Sequence, residues 1–205
     1  MLLTALEYVG IIAFVASGAL VGVRKGLDFL GVCVLGITTG IGGGIIRDTL
    51  IGIHPPTSMT QWPIIATALV TSLVVFKAHL AIGRIWRGVV LLDAVGLGLF
   101  CTTGAAITLD NGGGVVAACM LGSTSAVAGG VLRDTLVNDV PLLFRGELYA
   151  VPALIGAVAV VVADALGGSG NIGLVVGTLL ATGLRIAALK FDWHLPVARG
   201  ISPEQ

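Results

Sequence analysis

The chain has 205 residues, 56% of them hydrophobic and only 11% charged, with a formal net charge of zero. A soluble domain carries roughly a quarter charged residues, so composition excludes an ordinary soluble fold, and a mean hydropathy of +1.06 makes lipid the expected surroundings. A balanced charge gives nothing to attract nucleic acid.

Seven apolar runs follow one another: 3–23, 29–46, 63–80, 89–109, 113–132, 148–166 and 172–189. Each approaches the roughly 20 residues that cross a ~30 Å hydrocarbon core as a helix. Barrel strands would be about ten residues long and alternate in polarity, which these runs do not. The predicted fold is an all-α membrane protein of seven transmembrane helices in a single domain. The first run has no basic flank, holds Glu7 near its start and has a counterpart at 89–109. It reads as a structural helix rather than a signal peptide. The third and sixth runs open at Pro63 and Pro152, where the missing N–H costs nothing. The loop 52–61 carries Pro55-Pro56 and is expected to be irregular; its counterpart 138–147 also holds a proline, Pro141, and is more charged.

Seven spans put the termini on opposite sides. Arg24, Lys25, Lys77, Arg84, Arg87, Arg133, Arg145, Arg185, Lys190 and Arg199 then fall at or near the C-terminal side, and only Arg47 on the other. The positive-inside rule makes the C-terminus cytoplasmic and the N-terminus external or lumenal. Trp62, Trp86, Tyr149 and Trp193 sit at predicted helix ends, as interfacial aromatics do. Cys33, Cys101 and Cys119 lie inside apolar runs without ligand spacing, and His54, His79 and His194 are scattered. No metal site is expected.

The sequence repeats itself. Gly43-Gly44-Ile45-Ile46-Arg47-Asp48-Thr49-Leu50 returns as Gly129-Gly130-Val131-Leu132-Arg133-Asp134-Thr135-Leu136, an offset of 86 residues. From Leu6 to Ile51, 17 of 46 positions are identical to their partners, too many for a shared apolar composition to explain. The copies are repeat one, about 1–84, and repeat two, about 85–168, with a seventh helix at about 171–190. Three spans per copy is an odd number, so the second copy enters the membrane from the opposite face, an inverted-topology repeat.

Segment two holds Gly36, Gly40, Gly42, Gly43 and Gly44, and segment five holds Gly122, Gly129 and Gly130. Such glycines either let helices pack closely or allow a break whose freed carbonyls face a cavity. A break is expected at Gly43-Gly44 and at Gly129-Gly130, because the two pairs recur symmetrically. Thr38, Thr39, Ser123, Thr124 and Ser125 place hydroxyls one to two turns earlier. Arg47-Asp48 and Arg133-Asp134 follow the glycines by three to five residues. Ionisable groups in a membrane are costly and mark function by default; the alternative is a clamp in which each arginine pairs with an acid of the other repeat. Glu7 and Asp93, the other symmetric acids, either favour the N-terminal ends of their helices or partner the arginines.

Two Gly-Gly-x-x-Arg-Asp motifs, Gly42 to Asp48 and Ala128 to Asp134, in inverted three-helix repeats followed by a seventh helix, resemble the prokaryotic trimeric intracellular cation (TRIC) channels. The second copy has Ala128 where the fuller motif has glycine. The resemblance covers almost the whole chain. It implies a homotrimer in the bilayer, each protomer holding a pore between kinked second and fifth helices that passes K+ and to some degree Na+, with no cofactor. Many bacterial relatives of that family carry a glycine-transporter label. The expected path residues are Thr39, Gly42, Gly43, Gly44, Arg47, Asp48, Ser123, Ser125, Gly129, Gly130, Arg133 and Asp134.

Two functions compete. A potassium-permeable channel would use those residues as its lining and its electrostatic control. A secondary transporter of a small solute such as glycine shares the inverted-repeat architecture, but would need a midplane site for a carboxylate and an amine, and the charges here lie toward the helix ends. No Gly-x-Ser-x-Gly elbow, His-Glu-x-x-His pair or Walker A loop is present, so an enzyme is not expected.

Overall fold

The computed structural model describes residues 1–78, 85–145 and 147–196, apart from the side chains of 85 and 86. Among these residues there are eight α-helices: α1 Leu2–Arg24, α2 Phe29–Leu50, α3 Thr57–Thr60, α4 Trp62–Ala78, α5 Ile85–Asp110, α6 Val115–Leu136, α7 Ala150–Ala165 and α8 Gly170–Phe191. A single 3-10 turn occupies Leu142–Phe144. Five of the helices, α1, α2, α5, α6 and α8, are long and apolar enough to cross a membrane. The expected spans at 63–80 and 148–166 are shorter apolar helices, α4 with 17 residues and α7 with 16. At 1.5 Å per residue they reach about 26 and 24 Å, a little less than a hydrocarbon core. His79, Leu80, Arg84 and Arg199 lie outside the described residues, as does the side chain of Trp86.

The repeat is visible in the turns. α1 closes with Gly26 at φ +71°, and α5 with Gly112 at φ +79°. In each case the next amide reaches back to an equivalent carbonyl, Leu27 to Gly22 at 3.0 Å and Gly113 to Thr108 at 2.8 Å. α2 ends at Gly52, φ +82°, and α6 at Asn138, φ 56°. The amides of Ile53 and Asp139 then bond the carbonyls of Asp48 and Asp134 at 2.8 and 2.9 Å. These are left-handed C-terminal caps, for which glycine and asparagine are the usual residues. The two irregular loops contain α3 and the 3-10 turn, and Pro63 and Pro152 lie within the first turns of α4 and α7.

α1 and α5 form the centre. Phe14 and Phe100 pack together with Ile11, Val15, Leu97 and Ala126 in the largest apolar cluster. α2 and α4 pack on α1, while α6, α7 and α8 pack on α5. α2 also packs directly on α6. Both of these helices remain α-helical through Gly42-Gly43-Gly44 and Gly129-Gly130, so the expected loss of regular hydrogen bonding does not occur. The glycines serve close approach instead. A Cβ on Gly43 would overlap the Ser125 carbonyl, and one on Gly129 would overlap the Thr39 carbonyl. Keeping the ladder intact leaves no backbone group orphaned in an apolar interior.

Candidate functional site: two buried arginine clusters flanking a glycine crossing

Residues 39 and 43 of α2 meet residues 129 and 125 of α6 respectively. Ascending one helix therefore means descending the other, and the pair is antiparallel. Arg47 and Arg133 each lie six residues beyond the midpoint of this contact, about 9 Å of rise. They flank the crossing on opposite sides, about 18 Å apart along the helices.

Each arginine builds the same cluster. Arg47 donates through Nε and Nη2 to Asp48 Oδ1 at 2.9 and 2.7 Å, and through Nη2 to Glu7 Oε1 of α1 at 3.3 Å. Asp48 Oδ2 accepts the Thr57 amide at 2.8 Å, fixing the start of α3. In the second copy Arg133 donates through Nε to Asp134 Oδ1 at 2.8 Å and through Nη1 to Asp93 Oδ1 of α5 at 2.6 Å. Asp134 Oδ2 accepts the Leu142 amide at 3.1 Å, fixing the 3-10 turn. Glu7 and Asp93 stand beyond the first turns of α1 and α5, so the N-terminal reading of these acids is corrected: they are the arginines' partners. The clamp is also corrected. Each arginine pairs with acids of its own copy, because α1 packs on α2 and α5 on α6. What Arg133 reaches in the other copy is instead a hydroxyl, Ser17 Oγ of α1, which accepts from its Nη1 at 2.8 Å.

The clusters differ in closure. Asp93 is 1% exposed and Glu7 18%. Around the second cluster, the Tyr149 hydroxyl packs on Gly130 beside Asp93. Arg185 of α8 lies 4.9 Å from the Tyr149 ring centre, bonds the Leu148 carbonyl and pairs with Glu147 Oε2 at 2.6 Å. Sequence reasoning missed Ser17, Tyr149, Glu147 and Arg185 as site residues. Tyr149 is buried and is not an interfacial aromatic, unlike the exposed Trp62 and Trp193. Arg185 left a signal, a lone charge inside the seventh apolar run.

The structure brings together most of the expected path residues. Thr39, Gly43, Ser125 and Gly129 form the crossing, and Gly42 faces Leu132 of α6. Arg47 with Asp48 and Arg133 with Asp134 form the flanks, with Gly130 under Tyr149. Gly44 borders the first cluster, with Arg47 Nη2 the nearest atom to its side-chain position. Ser123 stands apart: it bonds the Cys119 carbonyl and lines a groove with Met120, Ala150 and Leu154. Thr39 spends its hydroxyl on the Leu35 carbonyl at 2.6 Å. Cys33 and Cys101 are buried, Cys119 is half-buried, and all three are free. Among the described residues no group of His, Cys, Asp or Glu is placed to hold a metal.

An all-helical chain with symmetric, buried ion-pair clusters in an apolar body defines a polytopic membrane protein whose polar interior is organised around two crossing helices. The family model described as "Glycine transporter" matches it twice, over residues 4–79 and 90–165, again 86 residues apart. The chain belongs to this family, one of membrane channels and transporters and not of enzymes. It is 42% identical over 157 residues to a UPF0126 membrane protein of Deinococcus radiodurans, covering 76% of this chain and 73% of that protein. It is 35% identical to the UPF0126 membrane protein YvgT of Bacillus subtilis, over 93% of this chain and 94% of that one. The UPF0126 inner membrane protein YadS of Escherichia coli is 34% identical over 95% and 94%. Among solved structures, the TRIC trimeric intracellular cation channel orthologue from Rhodobacter sphaeroides superimposes with a TM-score of 0.89 at 37% identity, over 94% of this chain and 99% of that one. A prokaryotic TRIC channel in 0.5 M KCl gives 0.88 at 34%, over 95% and 99%. The fold is that of the TRIC channels.

Proposed function

We propose that this protein is a potassium-permeable monovalent cation channel, with its path inside each protomer along the seam of α2 and α6. The observation that carries this reading is the antiparallel crossing of Thr39 and Gly43 with Gly129 and Ser125, flanked on each side by an arginine held by two acids. Such a seam is narrow, closed by contact between small residues, and bounded by charge. Each cluster holds two carboxylates against one guanidinium, so both ends of the seam carry a formal charge of −1, which favours cations over anions. Arginine beside a cation path is tolerable because its charge is neutralised within the cluster. The solved channels that share the fold and a third of the sequence add independent support.

In this reading the chain comprises two inverted repeats, 1–84 and 85–168, followed by α8, and it assembles as a homotrimer in the plasma membrane with its N-terminus outside and C-terminus in the cytoplasm. The antiparallel α2–α6 contact supports the inversion, and the basic asymmetry supports the orientation. A glycine transporter is the second reading, favoured by the family model's description. Arg47 and Glu7 together offer a donor for a carboxylate and an acceptor for an amine. The cavity beside them is about 20 Å³, room for a water and too little for an amino acid, which weighs toward the channel.

Planar-bilayer recording of the purified protein, run beside radiolabelled glycine uptake into liposomes, tests both. Potassium current without glycine uptake is the expected result; uptake without current would replace the channel by the transporter.

A further inference from the structure

The two arginine clusters are built alike and finished differently. In the second, Arg133 Nη1 is shared between Asp93 and Ser17. In the first, Arg47 is 2% exposed, yet its Nη1 has no hydrogen-bond partner. The position equivalent to Ser17 is Thr103, whose hydroxyl turns back onto the Leu99 carbonyl at 2.8 Å. Ser58 Oγ is likewise buried without a partner. Both residues line the small cavity, together with Glu7, Asp48, Gly40 and Gly44. A buried charged donor left unpaired is costly, and such orphans mark places that a water or an ion occupies.

Charge decides what occupies this one. Asp48 holds Arg47 through two short bonds, so the guanidinium charge is met there. Glu7 approaches through Oε1 alone, at 3.3 Å, and is 18% exposed. Its negative charge is surplus at the edge of a cavity of water size, where it attracts a cation and repels an anion. The orphaned N–H still needs an acceptor, which a water in the cation's own shell supplies.

We propose that the mouth of the cavity is a station for one monovalent cation, held by Glu7, with a single water of its shell filling the cavity and bonded to Arg47 Nη1 and Ser58 Oγ. The second cluster also leaves buried atoms without partners, Asp93 Oδ2, Tyr149 Oη and Arg185 Nε, but its acid is 1% exposed and held at 2.6 Å by Arg133, so a cation from outside does not reach it as it reaches Glu7. The station rests on the channel reading, as the first stop on the path along α2 and α6.

Thallous ion carries potassium's charge at nearly its radius and is located by anomalous diffraction. Crystals of the full-length protein soaked in a thallous salt should show a peak in contact with Glu7 and none at Asp93. Excess K+ should displace it. Glu7→Gln should abolish it, and Ser58→Ala, which leaves the Glu7–Arg47 pair intact, should weaken it. A wild-type crystal without the peak, or with an equal peak at Asp93, overturns the station. Thallous flux into liposomes is measured on the same preparation. Flux without a peak removes the station and leaves the channel standing. A peak without flux keeps the station and removes the channel.

Discussion

Phe14 packs against Phe100, its own counterpart 86 residues further on, with ring centroids 5.2 Å apart. A residue that meets its own copy lies where the two copies are related, so the approximate two-fold relation passes between α1 and α5. The neighbouring glycines follow the same rule: Gly10 gives room to the ring of Phe100, and Gly96 to that of Phe14. The crossing of α2 and α6 obeys the same relation with backbone instead of rings, carbonyl on glycine in both directions.

That crossing predicts which glycines tolerate a methyl group. Gly43→Ala and Gly129→Ala each force a Cβ into a partner-helix carbonyl and should destabilise by about 1–3 kcal/mol, the usual cost of overpacking. Gly44→Ala meets nothing nearer than Arg47 Nη2 at 3.9 Å and should be neutral or slightly stabilising through helix propensity. Thermal unfolding in detergent reads the difference. Equal melting of the three variants would show that the helices do not touch there.

Gly129→Leu and Gly130→Leu carry the same argument into conduction. The side chains would fill the seam or displace Tyr149 from Gly130, and potassium current should fall steeply. Unitary conductance unchanged in intact trimers would place the path elsewhere.

The two arginines should not be equivalent. Arg133→Ala leaves Asp93 and Asp134 buried and unpaired, a loss of about 3–5 kcal/mol by analogy with broken buried ion pairs. Arg47→Ala likewise strands the buried Asp48, but its second acid, Glu7, is 18% exposed where Asp93 is 1% exposed, so water reaches it and the loss should be smaller. Melting temperatures of the purified variants test the order, and a lower melting point for Arg47→Ala would reverse it.

Arg185→Gln should weaken the second cluster from outside by removing the ion pair with Glu147 and the contact with Tyr149, at about 1–3 kcal/mol. Lys190→Gln, on the exposed last turn of the same helix, should stay within about 0.5 kcal/mol of wild type. Matching losses in the two variants would mean that Arg185 acts only as a surface charge.

Orientation is tested by cysteine labelling in a background with the native cysteines replaced. Met59→Cys, in the exposed part of the loop before α4, should react with an impermeant reagent applied to intact cells, and Pro203→Cys should not. Labelling of position 203 from outside would invert the assignment.

The duplicated motif and the apolar runs made the helical architecture readable, because a fixed offset of 86 residues leaves few ways to fold. The symmetric charges were readable as a group, since Glu7, Arg47 and Asp48 recur as Asp93, Arg133 and Asp134. Their partners were not. Periodicity locates a charge on a helix but does not say which helix lies beside it, so a clamp between copies and a clamp within each looked alike. Glycine was ambiguous for a physical reason: the missing Cβ that permits a break also permits close approach, and only a neighbour such as the Ser125 carbonyl tells them apart. Tyr149 misled because a helix-end aromatic looks the same whether it faces headgroups or folds inward over Gly130. Arg185 was counted among the basic residues that set orientation, although its place inside an apolar run was a sign of burial.

α8 stands outside the duplication, and it braces one cluster only. Arg185, Glu147 and Tyr149 close the end bearing Arg133, while the end bearing Arg47 keeps a cavity and a partly exposed acid. If the seam of α2 and α6 is the conducting path proposed above, its two otherwise matched ends resist opening unequally. A membrane voltage of one sign would pull cations first toward the looser entrance, and of the other sign toward the braced one. The protein would therefore rectify, carrying more current in one direction than the other, and trimming α8 of Arg185 would bring the two directions closer together.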